Sequence, residues 1–401
     1  MKILIIALYF PPLNRIASSR PAAWAKDWSL AGHSVTVFTN KKYPYHGPLS
    51  LQVPDFNERV SIVEADYLLA KRWGYGGKSF FRRPLYGLQR LTWSFVAFWQ
   101  MIRFVRSQAP DIVISTYSPV STVLLGYIAK AFYRKARWVV DYRDLWTGNP
   151  YRNRKAAIRW FLEWFQRRLL RRASLITTVS PPLQTSLKQL APQIPVEVIF
   201  NGHEGILPLP PGPANDPVVR IVHAGTIYKQ YNVQPLLEAV RGLIDCQQIE
   251  TSRLELHFLG DKLGNLPAEL DRYRLRDIAR LPGQVPRSAA HAAQSQATLL
   301  LLLGTNEPGI LHGKLFEYIA ACRPVLDVGD TDATDAAQVL RATRCGIAVG
   351  NDVQMIQQVI LQVAEGHQPD WFSPDLEKIA TYSRDHQSRK LETLFQQLLE
   401  I

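Results

Sequence analysis

Unbroken apolar runs of strand length recur through the first half of the chain, at residues 3–8, 35–39, 112–115, 138–140, 175–179 and 196–200. Between them apolar positions return every three or four residues, over 17–31, 85–107, 122–133 and 155–172. A strand with one face in water alternates apolar and polar residues, whereas a strand covered on both faces does not. Covered strands alternating with amphipathic helices predict a parallel sheet flanked by helices on both sides.

The alternation stops at Leu207-Pro-Leu-Pro-Pro-Gly-Pro213, closed by Asn215-Asp-Pro217, where proline density blocks helix and ladder alike. It then restarts, with strands predicted at 220–223, 254–259, 299–303 and 324–328. Helices are predicted at 234–246, 314–321, 333–341 and 352–364, and the period of 385–399 predicts one more. The expected class is α/β with two Rossmann-like parallel-sheet domains. Their bounds are 1–203 and 218–382, with a linker at 204–217 and a separate helix over 383–401.

At 401 residues and 47% hydrophobic, the chain is long enough for two cores and too apolar for wholesale disorder. Cys246, Cys322 and Cys345 are widely and irregularly spaced, which excludes a disulfide framework or a zinc signature and suits a reducing compartment. The apolar run after Lys2 stops at Pro11-Pro12 and reads as a strand, not as a signal sequence. The longest apolar-aromatic stretch, 93–105, is broken by Gln100 and Arg103 and falls short of the roughly 20 residues of a spanning helix. A cytoplasmic chain without a transmembrane segment is expected.

The net charge of +13 is unevenly placed. Residues 1–203 carry 29 Lys and Arg against 10 Asp and Glu, a balance of +19, while the remainder carries 18 against 24, a balance of −6. Only the first domain is therefore expected to face an anionic partner. Its basic residues Lys71, Arg72, Lys78, Arg82, Arg83 and Arg90 stand among Trp73, Phe80, Phe81, Trp93 and Trp99. Aromatic and basic residues on one amphipathic stretch suit the headgroup zone of an anionic membrane, so 71–106 is expected to lie on one. A second stretch, 152–172, reads equally as a membrane contact or as core aromatics with a solvated basic face. Nucleic acid is disfavoured, because the basic residues interleave with large aromatics and no recognition motif is present.

Ligands of open parallel sheets sit beyond the carboxyl ends of the strands, so the residues just after each strand are the candidates for chemistry. After the first strand come Arg15, Ser18, Ser19 and Arg20, with a serine to cap the next helix and arginines to hold a phosphate. After the strand at 138–140 stands Asp141-Tyr-Arg-Asp-Leu-Trp146, where Asp144 or Asp141, with Arg143, can orient acceptor hydroxyls. The second domain opens with His223-Ala-Gly-Thr226, then Tyr228 and Lys229; Gly225 permits close backbone approach and Lys229 can charge-pair a diphosphate. Lys314 and Glu317 are three apart at a predicted helix start, which places a phosphate-binding cation and a diol-binding carboxylate on one face.

These pieces carry a resemblance. Tyr9-Phe-Pro-Pro12, Asp141-Tyr-Arg-Asp-Leu-Trp146, Thr178-Val-Ser180, Asn201-Gly202, Ala224-Gly-Thr226 and Lys314-Leu-Phe-Glu-Tyr-Ile-Ala320 follow one another as in the family-4, retaining GT-B glycosyltransferases. The Asp141–Trp146 segment resembles a branch of that family found in bacterial surface-polysaccharide pathways. The resemblance implies two Rossmann-like domains facing a cleft, with the terminal helix crossing back to the first domain. It implies transfer of a sugar from a nucleotide-sugar donor to a saccharide acceptor, lipid-linked, by an enzyme peripheral to the inner face of the plasma membrane.

By position, Glu317 is implied at the ribose, Gly225, Thr226 and Lys229 near the diphosphate, Val285 near the base, and Tyr228 among the donor-binding residues. Gly313 opens the helix of Lys314, and Tyr117 stands where the family has a histidine. Counting back from Glu317, the first of the family's two glutamates falls on Gly309, with Glu307 two residues away. Lys229, Lys314 and Asp144 are the expected catalytic residues, and neither a metal nor another cofactor is expected. A catalytically weakened protein that binds nucleotide sugar within an assembly complex is the alternative.

Overall fold

The computed structural model of the protein describes residues 1–43, 49–66, 83–147, 156–206, 218–228, 230–307, 309 and 311–400, with the backbone alone at Ile16 and 83–95. Lys229, the basic residues from Lys71 to Arg82, and the 207–217 segment lie outside the described residues. The chain forms two compact units. One is Met1–Asn201 together with Arg384–Ile401, and the other is Gly202–Ser383.

The first unit runs β1 (Lys2–Ile6), α1 (Ile16–Leu30), β2 (Ser34–Asn40), β3 (Val60–Ala65), α2 (Arg83–Gln108), β4 (Ile112–Tyr117) and α3 (Val120–Phe132). It continues through β5 (Arg137–Tyr142), α4 (Ala156–Leu170), β6 (Leu175–Thr178), α5 (Pro181–Leu190) and β7 (Val196–Val198). The strands pair in the order β3-β2-β1-β4-β5-β6-β7, every described pairing parallel. The order follows from right-handed crossovers that run one way from β1 and then the other.

The second unit contains β8 (Val219–Ala224), α6 (Gln234–Asp245), β9 (Leu254–Leu259), α7 (Leu266–Arg272), β10 (Ala279–Gly283), α8 (Arg287–Ser295) and β11 (Leu299–Leu303). It ends with α9 (Gly313–Ala320), β12 (Val325–Val328), α10 (Asp335–Thr343), β13 (Gly346–Ala348), α11 (Val353–Ala364) and α12 (Leu376–Ala380). Its six strands order β10-β9-β8-β11-β12-β13.

Central strands carry the long apolar runs because both their faces are covered. All five leucines of β11 are buried. In the first unit Leu4, Ile6, Val113 and Val140 pack under α2, α3 and α4, while Ile3, Ile5, Ile114 and Val139 pack on the other face. The unpredicted strands are β3, β10 and β13, each at a sheet edge. β3 is half exposed, β10 ends in Pro282-Gly283, and β13 is three residues long, so none shows the unbroken apolar signature.

The remaining cover of the first unit comes from far along the chain. The helix α13 (Arg384–Glu400) lies against α1 and buries Leu391 and Phe395. The Trp28 indole N–H donates to the Ser388 carbonyl at 3.1 Å, and Phe395 meets the Trp28 ring edge-on at 5.1 Å. The Ser388 hydroxyl donates to Asp27 at 2.6 Å. Gln387 accepts the Phe200 N–H at 2.9 Å and Lys390 donates to the Val198 carbonyl at 2.9 Å, which binds the end of the sheet as well.

Phe395→Ala removes a fully buried ring from this contact and is expected to cost about 3–5 kcal/mol. A urea titration is expected to show the loss as a lower unfolding midpoint of the first unit.

Candidate functional site

In an open parallel sheet, strands at a topological switch point send their connections to opposite faces, leaving a crevice beyond their carboxyl ends. The switch falls between β8 and β11 in the second unit and between β1 and β4 in the first.

In the second unit β8 delivers His223, Ala224 and then Gly225, and the chain after β11 leads into α9 with Lys314 in its first turn. His223 is wholly buried, with Nδ1 3.0 Å from the Leu301 carbonyl. That carbonyl requires a donor, so Nε2 holds the lone pair and accepts from Lys314 Nζ at 3.2 Å. Burial and the Lys314 charge keep His223 well below the usual histidine range, and the imidazole is neutral. Burial also lowers Lys314 to about 8, against an opposing pull from Glu317. His312 is pushed down to about 4 by burial and by Lys314. Near neutral pH the cluster thus carries one ammonium and two neutral rings. The ring of Tyr231 lies 5.6 Å from that ammonium, and its hydroxyl is 3.1 Å from His312 Nε2.

Two further contacts fix this edge. The Tyr318 hydroxyl accepts the Ala224 N–H at 2.8 Å and ties α9 to the end of β8. Gly225 has φ +128°, a conformation that L side chains rarely adopt, and a Cβ there would stand 3.4 Å from Nζ and Cε of Lys314, in contact with the ammonium. Glu317, one turn along α9 and partly exposed, lies 3.4 Å from Arg287, which also bonds Glu204 at 2.6 Å. Nearby, Gly309 donates its N–H to Asp335 at 2.7 Å. One buried oxygen of Glu307 has no hydrogen-bond partner among the described residues.

The first unit's edge is built differently. Asp141, at no exposure, accepts from Arg20 at 2.8 Å and from the Thr177 hydroxyl at 2.8 Å, and Arg20 also donates to the Phe200 carbonyl at 2.6 Å. The guanidinium stacks 4.7 Å from the centre of Trp24. Arg143 donates to the Tyr117 carbonyl at 3.3 Å and is shifted down by burial, while Asp144 is exposed. Tyr117 is buried between Tyr142 at 5.3 Å and Trp146 at 6.2 Å.

With this geometry in place, comparison with known proteins is informative. Residues 18–202 match the model of the glycosyl transferase 4-like domain. No curated protein matches the sequence. Among solved structures the chain is similar to the sucrose-phosphate synthase of Thermosynechococcus elongatus, at TM-score 0.68 and 15% identity, covering 100% of this chain and 99% of that one. It is similar to HepE of Anabaena in complex with UDP, at TM-score 0.65 and 14% identity over 98% and 99% of the two chains. The apo form of the lipopolysaccharide outer core galactosyltransferase WaaB aligns at TM-score 0.63 and 13% identity, over 99% and 100%. The fold is GT-B.

Within the GT-B units the sequence-derived candidates separate into groups. Gly225, Lys314 and Glu317 meet at the β8–β11 switch point, with Thr226 half-buried and Tyr228 exposed just beyond Gly225. Val285 sits in the connection from β10 to α8, and Gly313 begins α9. On the first unit Arg15 is exposed at the cap of α1, which has no side-chain cap from Ser18 or Ser19. Arg20 is engaged by Asp141 and the Phe200 carbonyl, so the two residues form an internal ion pair. Tyr117 is part of the core.

His223, Tyr231, His312, Tyr318 and Arg287 carry the site's geometry without having been assigned roles from sequence. The one available signal was Tyr318, four residues after Lys314 and hence on its face of the helix. Among the described residues no group of three or more His, Cys, Asp or Glu is placed to hold a metal ion, and no helix is long and apolar enough to cross a membrane.

Two substitutions separate structural from exposed carboxylates at the first edge. Asp141→Ala is expected to cost about 3–5 kcal/mol, because Arg20 is left buried with its charge unpaired. Asp144→Ala is expected to change stability by under about 0.5 kcal/mol. Chemical unfolding of the two variants beside the parent checks both.

Proposed function

We propose that the protein is a glycosyltransferase of the retaining kind, moving a hexosyl group from a nucleoside-diphosphate sugar to a saccharide acceptor carried on a lipid. Its setting on this reading is bacterial surface-polysaccharide assembly at the inner face of the plasma membrane. The observation that carries it is the Lys314 ammonium, oriented by His223 beside Gly225 at the switch point with Glu317 on the same helix face. The family-model match over residues 18–202 supports it, as does UDP in the HepE structure. The activity named for WaaB supports the choice of acceptor class.

Departure of a nucleoside diphosphate builds negative charge on its phosphates. A preorganised cation and the start of α9, which no side chain caps, stabilise that charge without reorganising. The neutral His223 orients Lys314 without cancelling its charge, which a carboxylate in its place would do. The charge on the diphosphate is met by these groups and by Lys229, with no metal required on this reading. Glu317 accepts from the ribose diol once the long contact to Arg287 opens. For retention the acceptor hydroxyl approaches the face the diphosphate leaves, and a departing phosphate oxygen takes its proton. No nucleophilic carboxylate is then obligatory. Gly309, with no side chain where the family has a glutamate, favours a second reading as a donor-binding protein without transfer.

Calorimetric titration with UDP, GDP and dTDP tests the site, and failure of all three to bind would overturn the reading. Lys314→Met is expected to weaken both UDP and inorganic pyrophosphate by about tenfold or more. Glu317→Ala is expected to weaken UDP and leave pyrophosphate unchanged, since pyrophosphate has no ribose. Free Lys314 loses its charge as pH rises through about 8, so UDP affinity is expected to fall there. An unshifted lysine would hold its charge to about 10.4. Sugar transfer to extracted lipid-linked saccharide separates the two readings, the second giving binding alone.

A further inference from the structure

The outward face of α4 is the feature of the first unit that the transferase reading does not use. Leu162 and Phe165 pack onto the core, and Gln166, Leu169 and Leu170 are buried, so the inner face of this helix is complete. Yet Ile158, Trp160, Phe161 and Trp164 are 51%, 68%, 54% and 51% exposed. At 100° per residue Trp160, Phe161 and Trp164 fall together on the side opposite Leu162 and Leu169. Arg167 and Arg168 continue that same face one turn later, with Arg171 just past the helix, and all three are exposed. The only acid of α4, Glu163, lies 3.9 Å from Arg159 and stands to one side of the face. An outer face of this kind is costly in water and idle in the fold.

We propose that this face docks on the surface of an anionic phospholipid bilayer. Trp and Phe are amphipathic or apolar rings that favour the headgroup boundary. Arginines following them along the helix can reach lipid phosphates with charge-assisted hydrogen bonds, while their stems cover apolar surface. The sign is right as well, since residues 1–203 carry a balance of +19. The rings occupy the first turns of α4, which begins beyond the carboxyl end of β5, the end that bears Asp141 and Arg143. A docked bilayer therefore lies beside that edge of the first unit. The surface differs from the stretch that sequence favours, 71–106, much of which lies outside the described residues; there, Trp99 of α2 is 69% exposed.

Co-sedimentation of the whole chain with vesicles tests the proposal independently of any sugar chemistry. Vesicles of phosphatidylglycerol with phosphatidylethanolamine are expected to capture the protein, and phosphatidylcholine vesicles to capture about tenfold less. Raising salt to half molar is expected to release part of it. Trp160→Ser with Trp164→Ser, and separately Arg167→Glu with Arg168→Glu, are expected to reduce capture by about tenfold each. UDP titration and thermal unfolding of both variants are expected to match the parent, because the residues are exposed and belong to the first unit, whereas Lys314 belongs to the second. Unchanged capture by both double variants overturns the proposal. So does a protein dimer, seen without lipid, that the tryptophan variant abolishes, since the face would then belong to a second copy. A protein that binds vesicles but no nucleotide would leave this inference standing and remove the transferase reading.

Discussion

A lysine ammonium in confined surroundings has to find an acceptor, and here it finds the lone pair of a neutral imidazole. The choice of partner decides what the edge of the second sheet can do. A carboxylate at His223 would hold Lys314 as firmly and leave no net charge. The imidazole is fixed in one tautomer by the Leu301 carbonyl, so it orients the lysine and leaves the positive charge in place. The rest of the edge serves this pair. Tyr318 fixes the distance between β8 and α9, and Gly225 withholds the side chain that would cover Nζ.

The first unit, with the same ordering about its own switch point, uses charge in the opposite sense. Arg20 and Asp141 pair inside the sheet end, with Thr177 and the Phe200 carbonyl adding hydrogen bonds, while Arg20 Nε and the second Asp141 oxygen have no hydrogen-bond partner among the described residues. A buried pair of this kind adds little net stability but punishes the loss of either partner. It ties α1, β5, β6 and the segment after β7 into one rigid element. Two sheets of like topology thus present a lysine cation in one case and an internal ion pair in the other. Fold alone does not assign a site.

Legibility in the sequence tracked burial and distance along the chain. β11, with leucine at all five positions, and the central strands of the first sheet were readable because full burial demands uninterrupted apolar runs. The edge strands β3, β10 and β13 were not, since a strand covered on one side or barely formed needs no such run. In the site, Lys314 and Glu317 were legible as a pair because helical periodicity places them together. The partnerships of Lys314 with His223 and of Arg20 with Asp141 span 91 and 121 positions, and no local pattern records them. The exposed rings of α4 were ambiguous for a related reason. The helix is apolar on both sides, and periodicity alone does not say which side the core takes.

The return of α13 onto α1 carries a consequence for biosynthesis. When the ribosome has made the seven strands of the first sheet, the face that holds Trp28 still lacks its cover, because Leu391 and Phe395 are encoded beyond the entire second unit. At about 5–20 residues per second, the 182 intervening residues from 202 to 383 take roughly 10–40 s to synthesise. Throughout that interval the nascent chain displays an apolar strip that its own sequence closes only once Leu391 and Phe395 have been made.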